Sequence, residues 1–423
     1  MKLFKLSNKN FLILFIGLFI FHVSLFFPGL LSSDSLSIYS EALKNNYSLH
    51  HPPFMALTWH FLNMIYEGPA LMYLFNLVLL WSAIYILCFK IFNETYIKLS
   101  CLALPFIPHI LVYSGWIWKD ILFSYGYILI AVNLALKTIK NEKLGWKNIS
   151  ILTLSLIYFT EVKYQAQFVL PFVLFWMFQL HYPRNIFKTA SAAIIFYIMI
   201  MTSISYLNNF LISEKNQPTN HSWQFVKIYD LSGISINSGK VLVPAVLWKK
   251  SEVKTEDIKK KYELAWEPLV VYEDSPFREA ENESERQSLL NAWKNAVKNH
   301  PFSYLKHRFH LWLNGMILTG SGSLWIENKL EKYPSISWVV PIVSKALAYI
   351  FILPIQFLII IQGLMNLRKK RKYAIPLLYF NSISLSLLGI LFIFSLAAVP
   401  RYVYFSVVFF VFSIPFSIKL LRK

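Results

Sequence analysis

PGLLSSDSLSIYSEALKNNYSLHHPPFMALTWH, residues 28–60, follows the first apolar segment of the chain directly. It holds Asp34, the only acid in the first forty residues, then Tyr39, Glu41 and the run His50-His51-Pro52-Pro53. Ser32, Ser33 and Asp34 are placed to start a short helix, since their side-chain oxygens accept from the orphan amides of a first turn and an acid there is favoured by the helix dipole. The two prolines suit the start of a second helix and hold the histidines extended. A carboxylate, a tyrosine and two histidines are an unusual composition for a mere connector between membrane spans.

The chain on either side of this stretch sets its surroundings. Of the 423 residues, 56% are hydrophobic and only 15% charged, against about 25% charged in soluble proteins. With a mean hydropathy of +0.48 and repeated long apolar runs, this composition describes an integral membrane protein. The N-terminal residues MKLFKLSNKN lead into Phe11–Phe27, a basic segment followed by an apolar run longer than a secretory signal core and without a small-residue cleavage site. It is therefore read as an uncleaved anchor. Nine further apolar runs, near 69–89, 99–115, 121–136, 149–160, 166–180, 189–207, 338–366, 374–396 and 403–420, bring the expected spans to about ten.

Positive charge orients them. With the N-terminus inside, nineteen Lys and Arg fall in the cytoplasmic segments, while the short outer loops hold only Lys44, Lys119, Lys163 and Arg401. Both termini are thus expected in the cytoplasm of a bacterial inner membrane. The net charge of +19 belongs to this asymmetry and not to a nucleic-acid-binding face. Cys88 and Cys101 support neither a disulfide framework nor a zinc site.

The expected organisation is an all-α polytopic bundle in three parts. Residues 1–207 form seven helices and include the first outer loop, 28–68. Residues 208–335 form an extracytoplasmic insert of mixed or helical structure, and residues 336–423 form the last three spans. Residues 208–310 contain 15 basic and 13 acidic side chains, so this part is nearly neutral and faces water. Its start, Gln224–Pro244, reads as loop or short strand. ESERQSLLNAWKNAVKNHP reads as a helix, with Leu289, Trp293 and Val297 on one face. Phe302–Leu318 is amphipathic and aromatic, as a helix lying on the membrane surface would be.

This topology puts every ionisable residue next to a hydrophobic outer segment on one face: Asp34, Glu41, His51, Lys119, Asp120, Glu161, Lys163 and Arg401. Such groups are costly near hydrocarbon and are functional candidates for that reason. One carboxylate with several fixed cations suits transfer of a sugar from a lipid phosphate. The phosphate is already a good leaving group, so no second carboxylate is needed. The reaction needs a base for the acceptor hydroxyl and cations for the departing phosphate. Asp34 is the expected base. Lys119, Arg401 and Lys163 are the expected phosphate contacts, with Tyr39, Glu41, His51, Asp120 and Glu161 positioning the substrate. The adjacent histidines point in different directions and make a poor metal pair. No metal ligands are assigned, no cofactor is required, and a divalent metal is not supported.

PGLxSxDSxxxY followed by HPP, WIWKD (Trp116–Asp120) and PRY (Pro400–Tyr402) resembles the GT-C superfamily of polytopic glycosyltransferases. That superfamily includes protein O-mannosyltransferases and the aminoarabinose transferase of lipid A. In it the first outer loop carries an essential Asp, matched by Asp34, and an H/K-P-P segment precedes the second span, matched by His51-Pro52-Pro53. The resemblance implies a polyprenyl-phosphate-sugar donor and an extracytoplasmic acceptor, and it says nothing of the insert. Many relatives carry a second acid after the Asp, whereas Ser35 stands here, which counts against a metal shared by an acidic pair. Two other readings compete with this one: a polymerase or ligase of cell-surface polysaccharide, and a lipid or solute transporter. Neither the repeated halves nor the midplane charges typical of transporters are visible. A non-enzymatic scaffold would leave the one-sided clustering of ionisable groups without a reason.

Overall fold

In the computed structural model, residues 7–48, 51–212, 223–317, 334–338 and 349–421 are described. Leu318 and 339–348, which fall in two of the segments expected above, and His50 lie outside them. The chain is an all-helical membrane protein, and the described residues contain four isolated backbone bridges and no strand. In chain order the helices are α1 (Asn8–Phe26), α2 (Ser33–Lys44), α3 (Pro53–Asn63), α4 (Ala70–Ile86, continued by a π turn to Ile91), α5 (Thr95–Ala103), α6 (Pro108–Ser114), α7 (Lys119–Lys140), α8 (Trp146–Glu161), α9 (Ala166–His181) and α10 (Ile186–Leu211). They continue as α11 (Trp223–Ser238), α12 (Thr255–Lys261), α13 (Glu267–Val270), α14 (Glu283–Asn299), α15 (Pro301–Ile317), α16 (Tyr349–Asn366), α17 (Arg371–Phe394) and α18 (Pro400–Leu421).

Nine of the ten apolar runs coincide with a helix or a bent pair of helices, and the described part of the run 338–366 contains α16. Among the described residues six helices are long and apolar enough to cross a membrane, or seven if the bent pair α5–α6 counts as one span. Pro105 and Pro108 lie at that bend, which turns by 49°. Proline lacks the amide that would carry a helix through, so the break has a direct cause. α8 and α9 have sixteen residues each, about 24 Å, short of a bilayer's hydrocarbon core.

Burial separates the middle of the bundle from its rim. The most apolar windows of α7 and α18 are 78% and 83% buried, whereas those of α1 and α10 are 17% buried. α7 and α18 therefore form the axis, with α4, α9 and α17 packed around it. Gly126 lies where α7 meets α8, and a Cβ there would run into the ring of Phe159. Overpacking a close-packed core costs about 1–3 kcal/mol. Gly126→Ala is expected to lower the thermal midpoint of the purified protein, and an unchanged midpoint would show that Phe159 simply moves aside.

The insert has its own apolar core, which includes Ile228, Leu231, Ile234, Leu269, Phe277 and Leu289. Most of the stretch read as loop or short strand is instead a four-turn helix, α11, and only 239–244 is loop. Ile228, Leu231 and Ile234 recur every three residues and are all buried. The alternating look of the sequence there came from its β-branched residues, and packing against α14 and α15 overrides it. The helix expected over ESERQSLLNAWKNAVKN is present as α14, with Asn282 capping its first turn. α15 buries His307, Arg308 and Leu311 and exposes Phe302, Leu305 and Phe309.

Candidate functional site at one end of the bundle

The site begins at the turn leaving α1. Gly29 has φ +110, and a Cβ there would press on the Ile117 side chain at 2.9 Å. Only glycine adopts that backbone angle freely and leaves that room. The next residue can then pair with the loop before α7: Leu30 N donates to Gly115 O at 2.8 Å, and Ile117 N donates to Leu30 O at 3.0 Å. Ser32 caps α2, its Oγ accepting from Ser35 N, and the same Oγ accepts the Trp118 indole N–H at 2.9 Å. Ser35 Oγ donates to Ile117 O at 2.7 Å. The start of α2 is thereby stitched to Gly115–Trp118.

Asp34 lies in this first turn and Arg401 at the second position of α18. Arg401 Nη2 is 2.8 Å from Asp34 Oδ2, so the pair joins residues from opposite ends of the chain. The Arg401 guanidinium lies 5.3 Å from the Trp118 ring centroid and 5.7 Å from that of Tyr402, within cation–π reach. Its Nε is buried without a hydrogen-bond partner. Lys119 opens α7, and its Nζ is 3.0 Å from His51 Nδ1. A lysine ammonium can only donate, so His51 Nδ1 accepts and the ring proton resides on Nε2. Lys163, between α8 and α9, forms an ion pair with Asp120 in which both side chains are buried, and its ammonium lies 5.2 Å from the Tyr402 ring centroid.

Burial pushes the Asp34 carboxyl up, but the charges of Arg401 and Lys119 outweigh it and hold the group below its ordinary range. Burial pulls the Lys163 ammonium down, opposed by Asp120. Asp34, Arg401, Lys119, His51, Asp120 and Lys163 thus come together around Trp118 and Tyr402 as one network of charges.

Glu161 joins the network indirectly. Its Oε2 accepts from Phe54 N at 3.0 Å, in the first turn of α3, where prolines 52 and 53 leave few amides to cap. It therefore anchors the helix that follows His51. Its Oε1 is buried without a hydrogen-bond partner. Tyr39 and Glu41 are not brought to the network. Tyr39 packs against Trp59 with the rings tilted and their centroids 4.9 Å apart, and Glu41 accepts from Ser48 Oγ at 2.5 Å beside an open polar depression lined by Ser37, Ser40 and Lys44. Both follow Asp34 on α2, but α2 runs away from the network, so sharing a helix did not put them at the same site.

Glu267, at the start of α13 in the insert, was not foreseen. Burial pushes its carboxyl up, and Arg401 and Asp34 are its charged neighbours. Its Oε2 is buried without a hydrogen-bond partner. No motif surrounds it, and the only signal was an acid followed by proline, Glu267-Pro268, at a helix start. Among the described residues no three of His, Cys, Asp and Glu converge as metal ligands. Ser35, where a second acid would stand, is committed to the Ile117 carbonyl.

Comparison of the chain with family models, with curated proteins and with solved structures returns no match.

Proposed function

We propose that the protein is a membrane glycosyltransferase that moves a sugar from a polyprenyl-phosphate donor to an acceptor hydroxyl outside the cell membrane. One observation carries the reading: a carboxylate, Asp34, lies beside Arg401 and Lys119 at one end of an apolar helix bundle, while the neighbouring Asp120 is taken up by Lys163. Asp34 takes the proton of the acceptor hydroxyl while its oxygen bonds to the anomeric carbon. The bond from that carbon to the phosphate oxygen breaks, and the polyprenyl phosphate leaves with one more negative charge. Arg401 and Lys119 meet that charge. Arg401 retains donors for a phosphate beyond the one it gives Asp34. Ten spans, an external insert and cytoplasmic termini belong to the same proposal. The direct test is transfer of a labelled sugar from polyprenyl-phosphate sugar by the purified protein in lipid nanodiscs. Absence of transfer across a panel of hexosyl and pentosyl donors, from protein that is folded and binds polyprenyl phosphate, would remove it.

The topology has its own test. Reporter fusions after Asn45 and Ser251 are expected to read as external, and those after Lys143 and Lys370 as cytoplasmic, because the segments read as cytoplasmic hold nineteen Lys and Arg and the short outer loops four. A cytoplasmic signal at Ser251 would put the insert, with Glu267, in the wrong compartment.

The pH dependence follows from the Asp34 pair. A carboxyl whose folded pKa is depressed stays ionised as pH falls, so the base remains available below the ordinary aspartate value of about 3.9. The stability the pair contributes is likewise present above that unfolded-state value and is lost as pH falls through the folded one. Transfer is expected to show no limb from Asp34 between pH 5 and 7. Arg401→Met removes the largest charge holding the carboxyl down, so the acid limb moves upward. An acid limb at the same pH in both proteins would assign it to another group.

A further inference from the structure

The insert meets the α17–α18 connection through a buried guanidinium and through backbone pairing. Arg308 of α15 is 1% exposed and Asp230 of α11 is fully buried, with Nη2 2.6 Å from Asp230 Oδ1. Asp230 also has His307 Nε2 at 3.3 Å and accepts from Trp293 Nε1 at 2.7 Å. The other arm of the guanidinium, Nη1, donates to the backbone carbonyl of Ser395 at 2.7 Å. Ser395 Oγ in turn donates to Ala397 O at 2.7 Å. Ala398 N donates to Leu264 O at 2.7 Å, and Ala265 bridges Ala397. The 262–264 stretch is itself held from the insert's core, by Tyr262 hydroxyl on His307 Nδ1 at 2.5 Å and by Tyr229 hydroxyl donating to Glu263 O at 2.6 Å. Arg401 follows Ala398 after three residues, and Glu267 follows Ala265 after two.

A buried ion pair is poor evidence for stability, because well-packed apolar residues in its place are often as stable or more so. What it supplies here is direction. A planar fork can hold a carboxylate with one nitrogen and a carbonyl with another, which an apolar side chain cannot do and an ammonium does badly. We infer that Arg308, oriented by Asp230, is a positioning residue that fixes the Ser395–Pro400 connection against the insert and thereby sets Arg401 and Glu267 at the Asp34 network. The functional consequence rests on the proposed phosphate contact of Arg401. The structural claim does not.

The test is hydrogen exchange of the full-length protein in nanodiscs, read at the amides of 396–402 and at those of α14 as a control. Arg308→Lys keeps Asp230 paired but gives up the fork. It is expected to raise exchange over 396–402 about ten- to a hundredfold, the equivalent of one charge-assisted hydrogen bond, and to leave α14 unchanged. The double variant Arg308→Met with Asp230→Leu removes both charges at once and is expected to raise the same local exchange, at the cost of leaving the Trp293 indole N–H without its acceptor. Unchanged exchange at 396–402 in Arg308→Lys overturns the inference. So does exchange that rises equally in α14, which would make the pair a general stabiliser. Binding of nanodiscs doped with polyprenyl monophosphate is measured on the same variants. If exchange rises locally and that binding is unaffected, Arg308 keeps its positioning role and the phosphate contact assigned to Arg401 falls.

Discussion

Asp34→Asn is expected to lower sugar transfer by about 10²–10⁴-fold, the contribution of a positioned general base, while polyprenyl-phosphate binding survives. Ser32, not Asp34, accepts the capping hydrogen bond of α2, so the substitution leaves the cap in place. What it does remove is the charge that Arg401 meets at 2.8 Å. The side chains of Asp34 and Arg401 are 31% and 22% exposed, and an ion pair with that much access to water contributes only about 0–1 kcal/mol. The thermal midpoint should therefore move little. If Asp34 were simply a structural partner for Arg401, the pattern would invert, with stability reduced and transfer close to normal. Asp34→Glu separates the accounts further, because it keeps the charge and lengthens the reach by one methylene. A base held at a fixed distance tolerates that poorly, and an exposed ion pair tolerates it well. Full transfer in Asp34→Asn would take Asp34 out of the mechanism and point to Glu267 or Asp120, the other carboxylates near Arg401.

Arg401→Ala is expected to weaken use of the lipid-linked donor by about ten- to a hundredfold, the loss of one charge-assisted contact. Lys119→Ala is expected to act in the same direction. The two should differ in their effect on Asp34. Arg401 bonds Asp34 and lies over the Trp118 and Tyr402 rings, so its loss also leaves the carboxylate short of its main counter-charge. Lys119 bonds His51, so its loss leaves Asp34 and Arg401 together. Steady-state measurements with varied donor should accordingly show a raised KM for Lys119→Ala, and a raised KM with a lowered kcat for Arg401→Ala. Arg401→Lys restores the charge but not the planar fork, and partial recovery of KM alone is the expected result. Normal donor use in both alanine variants would leave Arg401 and Lys119 as anchors of the helix ends.

Helical content and the positions of the six or seven long apolar helices were legible in the sequence, because each depends on local composition and period. So were Asp34, His51, Lys119, Asp120, Lys163 and Arg401 as members of one end of the bundle, because an ionisable group beside an apolar run is conspicuous wherever it stands. Their pairing was not. Lys119 and Asp120 are neighbours in sequence, yet one meets His51 and the other Lys163, since successive residues at a helix start point in different directions. The Asp34–Arg401 contact depends on α18 packing against α7 and on the Gly29 turn bringing α2 to the same place. Glu41 and Tyr39 look equivalent to Asp34 in sequence and were separated only by the direction of α2. The insert was the least legible part: α11 was hidden by β-branched residues, and neither Glu267 nor the Asp230–Arg308 pair has a sequence signature. Apolar period and charge placement are properties of one segment at a time. Which charge faces which is decided by how the segments pack, and a buried carboxylate is joined to its partner only when the whole bundle and its insert have closed around both.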